Sequence, residues 1–262
     1  MPTSALQVAR TGLEAQDTRM RVIANNLANV STTAFKRDRA NFATLAYQDA
    51  RVAGAQSSSE TTYATGLNLG TGVAVQSTSR METQGSLQTT GNTFDLALDG
   101  QGYFQIALPG GELAYTRAGN FTRSPQGELV TSQGYLLQPA ITVPEGATAI
   151  TVAQNGTVSA QIDGQSDPTE LGQITIANFT NPAALQAASD NFLRETAGSG
   201  PVQLGVAGEE GRGFLRQGML EGSNVNIVEE LVDMIETQRA YEINSKMISS
   251  VDEMLRNANQ TL

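Results

Sequence analysis

Histidine, cysteine and tryptophan are wholly missing from this chain. The first two absences exclude zinc held by Cys or His, haem on a His ligand, Cys nucleophiles and Ser-His-Asp triads. Without Cys there is no disulfide framework either, and the redox compartment stays unmarked. Aromatic residues make up only 5% and charged residues 16% of the 262. Ser, Thr, Gln and Asn fill the difference, and Gly, at 26 residues, exceeds average usage. That is the composition of a turn-rich β body with an uncharged polar surface.

Long apolar runs are lacking too, so no membrane span is expected. Met1–Leu13 has neither the basic start nor the continuous apolar run of a secretory signal, which on these grounds alone points to the cytosol. The net charge of −10 argues against nucleic acid or an anionic membrane as the main partner. No phosphate loop is present, and Gly100-Gln101-Gly102 leads into a strand pattern rather than a helix. Asp95 and Asp99 are the nearest thing to a carboxylate pair or a calcium site. Asp99-Gly100, however, reads as an ordinary turn, and Asp95 alternates with Phe94 and Leu96, so both are expected to be structural. No cofactor, metal or catalytic residue is expected.

What the chain does have lies first at its two ends. Leu6, Ala9, Leu13, Gln16, Met20, Ile23, Leu27 and Val30 step by three and four, which predicts an amphipathic helix over residues 3 to about 30, capped by Thr3 or Ser4. From Ser223 to Leu262 there is no Gly or Pro, and Ile227, Leu231, Met234, Ile235, Tyr241, Ile248, Val251 and Leu255 recur near heptad spacing. Residues 1–40 hold six Lys or Arg and three acids; residues 223–262 hold three bases and seven acids. Ends of opposite sign are suited to lying side by side, within a chain or between chains. The Asn cluster at 25, 26 and 29 reads as a solvated polar face or as amides bonded to a neighbouring chain. The basic run Lys36-Arg37-Asp38-Arg39 reads as a solvated face that turns this end positive.

Between the ends the pattern changes. Tyr47 to Gly72 is rich in small residues and low in charge, and reads as an extended arm or as a disordered linker. From about residue 73 to 220, apolar alternation (Phe94, Leu96, Leu98; Phe104, Ile106, Leu108) and turn signals such as Asp99-Gly100, Gln126-Gly127, Gln133-Gly134 and Asn155-Gly156 predict an antiparallel body with one buried face per strand. A short helix is expected at Ala183–Ala188 and a surface loop at Ala197–Arg212. The expected fold class is α+β: long terminal helices paired in a coiled-coil-like domain, a mainly antiparallel β body and a hairpin arm. Its divisions are 1–35, 36–72, 73–222 and 223–262.

Val22-Ile23-Ala24-Asn25-Asn26-Leu27-Ala28-Asn29-Val30-Ser31-Thr32 with Phe35-Lys36-Arg37 resembles the N-terminal signature of bacterial flagellar rod and hook proteins. Gly222-Ser223-Asn224-Val225-Asn226, Glu229 to Ile235 and Gln238 to Lys246 resemble their C-terminal one. Asp99 to Gln105, Ala114 to Phe121 and Gly127 to Thr131 resemble their shared β body, with Ala118 standing where the family often has a polar or acidic residue. Tyr47-Gln48, Gly54 to Thr62 and Gly66 to Val73 resemble the segment of distal-rod members of that family. The resemblance implies a non-enzymatic subunit that stacks helically on itself into a hollow shaft carrying torque through the periplasm. Partners would be proximal rod proteins below, the hook protein above and the peptidoglycan and outer-membrane rings around it. Export would run through the flagellar type III machinery without a cleaved signal, which displaces the cytosolic expectation; nucleic acid and membrane insertion play no part.

Under the resemblance, the expected assembly interface comprises Leu6, Leu13, Met20, Ile23, Asn25, Asn26, Leu27, Asn29 and Val30 from the first helix. From the second come Ile227, Leu231, Met234, Ile235, Gln238, Arg239, Tyr241, Ile248 and Leu255. The arm would make its contacts through Tyr47, Gln48, Gln56, Ser57, Ser58, Thr61, Thr62 and Tyr63. Residues 1–35 and 225–262 are expected to order only on assembly.

Overall fold

The computed structural model describes residues 2–56, 62–163 and 167–260. They form two compact units. The first gathers residues 1–28, 38–80 and 226–262, and the second gathers 29–37 and 81–225.

In the first unit, Pro2–Ala28 form helix α1 and Ile227–Gln260 form helix α2. Pro2 sits where a helix tolerates proline, since the first-turn N–H has no intrahelical partner. Two i,i+4 ion pairs, Arg10–Glu14 at 3.0 Å and Asp17–Arg21 at 2.6 Å, lie on the solvent side of α1. Asn226 caps α2, its Oδ1 accepting the Val228 N–H at 3.1 Å, and Glu229 and Glu230 lie in the first turn, where the helix dipole favours them.

The same unit holds two antiparallel strand pairs. Strand β1 (Asp38–Thr44) pairs with β4 (Val73–Arg80), with a bulge at Asn41/Phe42. Nested between them, β2 (Tyr47–Arg51) pairs with β3 (Leu67–Gly70). The Leu45 N–H donates to the Gly72 carbonyl at 3.0 Å across the junction. Beyond β2, Gln56 forms an isolated antiparallel bridge with Thr62, and the Tyr63 N–H donates to the Ala55 carbonyl at 2.9 Å.

The second unit is almost entirely β. Strands β5 (Leu87–Thr89), β6 (Leu96–Asp99), β7 (Tyr103–Ala107) and β8 (Leu113–Thr116) open it. β7 is its central strand. It pairs with β8 along one edge and with Leu136–Gln138 and Thr175–Asn178 along the other. A three-stranded antiparallel sheet, Ala147–Val152, Thr157–Ile162 and Thr169–Gln173, adds to it. The main core collects Leu96, Leu98, Phe104, Phe121, Leu137, Ile174, Ile176 and Leu215, with the Phe104 and Phe121 rings edge to face at 5.2 Å.

The turn signals hold: Gly127, Gly134 and Gly156 all take φ near +90°, a region that costs glycine little. Three expectations do not hold. Leu96, Ala97 and Leu98 are all buried, as are Phe104, Gln105 and Ile106. β6 and β7 are covered on both faces, so the polar member of an alternating pair does not mark a solvent face. The helix expected at Ala183–Ala188 is a 3₁₀ turn at Pro182–Ala184 followed by a strand residue pair at Gln186–Ala187. The loop expected at Ala197–Arg212 contains a strand, Gln203–Val206, paired with Thr175–Asn178.

Candidate assembly surface

The surface that α2 turns inward is not its apolar stripe, whereas on α1 the predicted stripe supplies buried Ala9 and Ile23. On α2 the side chains facing α1 include Glu230 and Thr237, both with no exposure, and Asn244 seven residues on. Against them α1 sets Gly12, Arg19 and Asn26. The helices run antiparallel: Asn26 Nδ2 donates to Glu230 Oε2 at 3.2 Å, Arg19 Nη2 to Asp233 Oδ1 at 3.3 Å, and Asn244 packs against Gly12. A Cβ on Gly12 would meet Asn244 Nδ2 at 3.1 Å. This explains a glycine in a helix interior that costs about 1 kcal/mol relative to alanine. Small and polar residues thus make the intrachain seam, and buried polar groups at such positions fix register at a cost in stability.

Asn26 explains part of the asparagine cluster. It is buried, its Oδ1 accepts the Asp38 N–H and its Nδ2 donates to the Asp38 carbonyl, both at 2.9 Å. Its amide is spent within the chain, so neither a solvated face nor a bond to a neighbouring chain describes it. Burial pushes the Asp38 carboxyl above its ordinary range, with the Arg80 charge opposing.

The apolar residues of α2 point elsewhere. Ile227, Leu231, Ile235 and Tyr241 are exposed, and so are Val228 and Val232, the former at 70%. Gln238 and Arg239 are exposed, while Met234 and Ile248 are half-buried. The Leu255 side chain lies outside the described residues. On α1, Ile23 is buried, Leu6, Leu13, Met20 and Leu27 are half-buried and Asn25 is exposed. Asn29 and Val30 are half-buried within the second unit. In the 47–72 segment Tyr47, Gln48, Gln56 and Thr62 are exposed; the Arg51 guanidinium lies 4.0 Å over the Tyr63 ring, and Ser57, Ser58 and Thr61 fall outside the described residues.

A second constellation, in the β unit, was not singled out from the sequence. Lys36, Arg117 and Glu221 are all buried together. Glu221 Oε1 accepts Lys36 Nζ at 2.6 Å and the Gly85 N–H at 3.0 Å, and Oε2 accepts Arg117 Nε at 2.9 Å. Lys36 Nζ also donates to the Thr83 carbonyl at 2.7 Å, and Arg117 Nη1 and Nη2 donate to the carbonyls of Gly102 and Gly100 at 3.0 and 2.8 Å. Lys36 is therefore no part of a solvated basic face.

Asn224 ties the same chain passages together, accepting the Arg37 N–H at 2.7 Å and donating to the carbonyls of Met81 and Thr83. Gly119 follows two residues after Arg117 because any Cβ there would run into the Leu96 carbonyl. Arg117 and Asn224 stand inside the motifs that carry the family resemblance, and Glu221 is the residue next to one. An acid closing the run Met219-Leu220-Glu221 was the signal available.

Three stretches of the chain match flagellar protein families. Residues 6–36 match the flagella basal body rod protein, residues 97–160 the D1 domain of the flagellar hook protein FlgE/F/G, and residues 216–261 the C-terminal part of the flagellar basal body rod FlgEFG protein. The class is thus that of the flagellar rod and hook proteins.

Within it, the flagellar basal-body rod protein FlgG of Buchnera aphidicola subsp. Acyrthosiphon pisum is 48% identical over 256 residues, 98% of each chain. FlgG of Caulobacter vibrioides is 48% identical over 257 residues, again 98% of each. The FlgF rod protein of Caulobacter vibrioides is 33% identical over 258 residues, 96% of each. This chain belongs to the FlgG family of flagellar basal-body rod proteins, and it is a structural subunit of the flagellar rod.

Proposed function

We propose that this chain builds the distal rod, the hollow drive shaft that carries torque to the hook, by stacking helically on itself with α1 and α2 of successive copies lining an inner tube. The observation that carries this is the outward apolar face of α2. Ile227, Val228, Leu231, Val232 and Ile235 are all more than 40% exposed. A contiguous apolar face of this kind marks an interaction site, and an open helical filament needs two different patches that meet on successive subunits. The expected interface residues of α1 and α2 that the subunit leaves exposed or half-buried are proposed to act there, whereas Ile23 and Asn26 are buried within the chain, and the polar intrachain seam leaves the apolar side chains of α2 free for neighbours. Identity of 48% to FlgG proteins against 33% to FlgF favours the distal over the proximal assignment.

The remaining partners follow from that reading: proximal rod proteins below, the hook protein above, the peptidoglycan and outer-membrane ring around, and the type III export machinery that delivers the chain to the periplasmic rod. The role is mechanical rather than catalytic. The helix pair, joined largely by small and polar residues, is proposed to be marginal in the dilute subunit. The segment after α1 is excluded from that statement, because Ala34 is buried and its N–H donates to the Glu221 carbonyl at 2.8 Å.

Electron microscopy at rising concentration, beside hydrogen exchange, tests this. Straight hollow filaments should form, and α1 and α2 amides should become protected only in them. A dilute monomer with both helices fully protected, and no filament at any concentration, would overturn the reading.

The 47–72 segment is proposed to pack between neighbouring subunits through Tyr47, Gln48, Gln56, Ser57, Ser58, Thr61, Thr62 and Tyr63 and to stiffen the shaft. Exposed Tyr47, Val52, Leu67 and Leu69 support it. Deleting residues 54–66 should yield filaments that bend visibly in micrographs; filaments as straight as those of the intact chain would remove this role.

A further inference from the structure

We infer that Glu221, Glu82 and the Thr83 carbonyl form a built socket for an alkylammonium group, and that entry of Lys36 into it is the step that seats residues 29–37 on the β unit. The socket is made wholly of chain that follows Lys36: Thr83 lies 47 residues later and Glu221 185 residues later. Nothing in its construction requires Lys36. With the lysine removed, Glu221 keeps Arg117 on Oε2 and the Gly85 N–H on Oε1, and Arg117 keeps both glycine carbonyls. The Tyr103 hydroxyl donates to Glu82 Oε2 at 2.8 Å, while the buried Glu82 Oε1 has no hydrogen-bond partner among the described residues.

Charge points the same way. Burial and the Arg117 charge oppose the Lys36 ammonium, and Glu221 and Glu82 attract it. Two carboxylates and one guanidinium leave the empty socket with a surplus negative charge, which one ammonium neutralises. The fit is geometric as well. Two of the three ammonium protons are directed at oxygens 2.6 and 2.7 Å away, and the Lys36 side chain is only 4% exposed. Charge-assisted bonds this short are the strong kind.

The backbone around the socket reports whether the segment is seated. The Ala34 N–H donates to the Glu221 carbonyl at 2.8 Å and the Arg37 N–H to Asn224 Oδ1 at 2.7 Å. Amides at the rim of such a latch open locally, without unfolding the rest.

Hydrogen exchange on the full-length chain, dilute and unassembled, tests the inference independently of any reading about filaments. In Lys36→Ala the amides of Ala34 and Arg37 should exchange faster by on the order of ten- to a hundredfold, the loss of a charged hydrogen bond, while β7 amides stay as they were. Ethylammonium chloride, added to Lys36→Ala, should restore much of the lost protection, and ethanol at the same concentration should not. Lys36→Met, which fills the space without a donor, should remain as unprotected as Lys36→Ala. Unchanged exchange at Ala34 and Arg37 in Lys36→Ala would overturn the socket, as would equal rescue by ethanol or full protection in Lys36→Met. A loss of β7 protection as large as that at Ala34 would show Lys36 to be a general support of the unit and would overturn the seating step.

Discussion

Glu221→Ala should destabilise the β unit by about 3–5 kcal/mol, the cost of breaking a buried ion pair by removing one partner. The carboxylate has no exposure, and its loss leaves the Lys36 ammonium and the Arg117 guanidinium buried and facing each other. Two further acceptors of the Arg117 fork survive, but they are neutral carbonyls and do not offset a like charge. The measurement is urea unfolding of the full chain followed by exchange at Tyr103–Ala107. A midpoint unchanged from that of the intact protein would show that the cluster relaxes or takes in water, and would remove it as a fixed point of the fold.

The same residue sets an acid limit. Burial alone would raise the Glu221 carboxyl, but Arg117 and Lys36 together with the Gly85 N–H hold it below its ordinary 4.5. A carboxyl lowered in the folded state contributes stability that is fully present above the unfolded value near 4.5, and this stability is lost as pH falls through the folded one. Stability of the β unit should therefore decline below about pH 4.5 in the intact chain. Glu221→Gln, lower throughout, should lack this part of the decline.

Lys36 works in the other sense. Burial first, then Arg117, brings its ammonium below 10.5. Between that lowered value and 10.5 the unfolded chain binds more protons, so this group raises stability with pH and brings no alkaline loss.

Much of the architecture is legible in the residues, for identifiable reasons. Both helices are visible because a period of three and four with no interior proline has no other stable reading. The hairpin turns are visible because glycine at positive φ is a local requirement, met at Gly127, Gly134 and Gly156.

What stays hidden is non-local. Gln105 reads as the polar member of an alternating pair, yet β7 is central and covered on both faces. Lys36 reads as one of three bases around Asp38, and its partner 185 residues away makes it a core residue. Asn26 reads as surface or as a bond to a neighbouring chain until Asp38 and Glu230 of its own chain take up its amide. The apolar spacing of α2 marks a helix with something to bury but cannot say against which chain. The seam of Glu230, Thr237 and Asn244 shows that its own α1 is not where most of those apolar side chains go.

The strongest functional prediction follows from that division of the α2 surface. Leu231→Asp combined with Ile235→Asp should abolish filament formation at concentrations where the intact chain assembles. Both side chains are exposed in the isolated subunit, at 43% and 50%, so charging them costs the folded monomer little. In a filament each would otherwise bury an apolar side chain worth about 1.5–3 kcal/mol. Since about half of each side chain is already covered in the subunit, losing two such contacts raises the critical concentration by about tenfold or more. Adding a carboxylate to a desolvated contact raises it further, and α2 already carries seven acids against three bases from residue 223 onward.

The intrachain seam supplies the contrast. Thr237→Val, at a position with no exposure whose hydroxyl donates to the Asp233 carbonyl, should leave the critical concentration within a few-fold and act instead on the subunit itself. Sedimentation across a concentration series reads both variants. Exchange at β7 confirms that neither has disturbed the β unit. Assembly of the double aspartate variant at the concentration of the intact chain would mean that the exposed stripe of α2 is not an intersubunit surface, and the polar seam would then be the place to look for one.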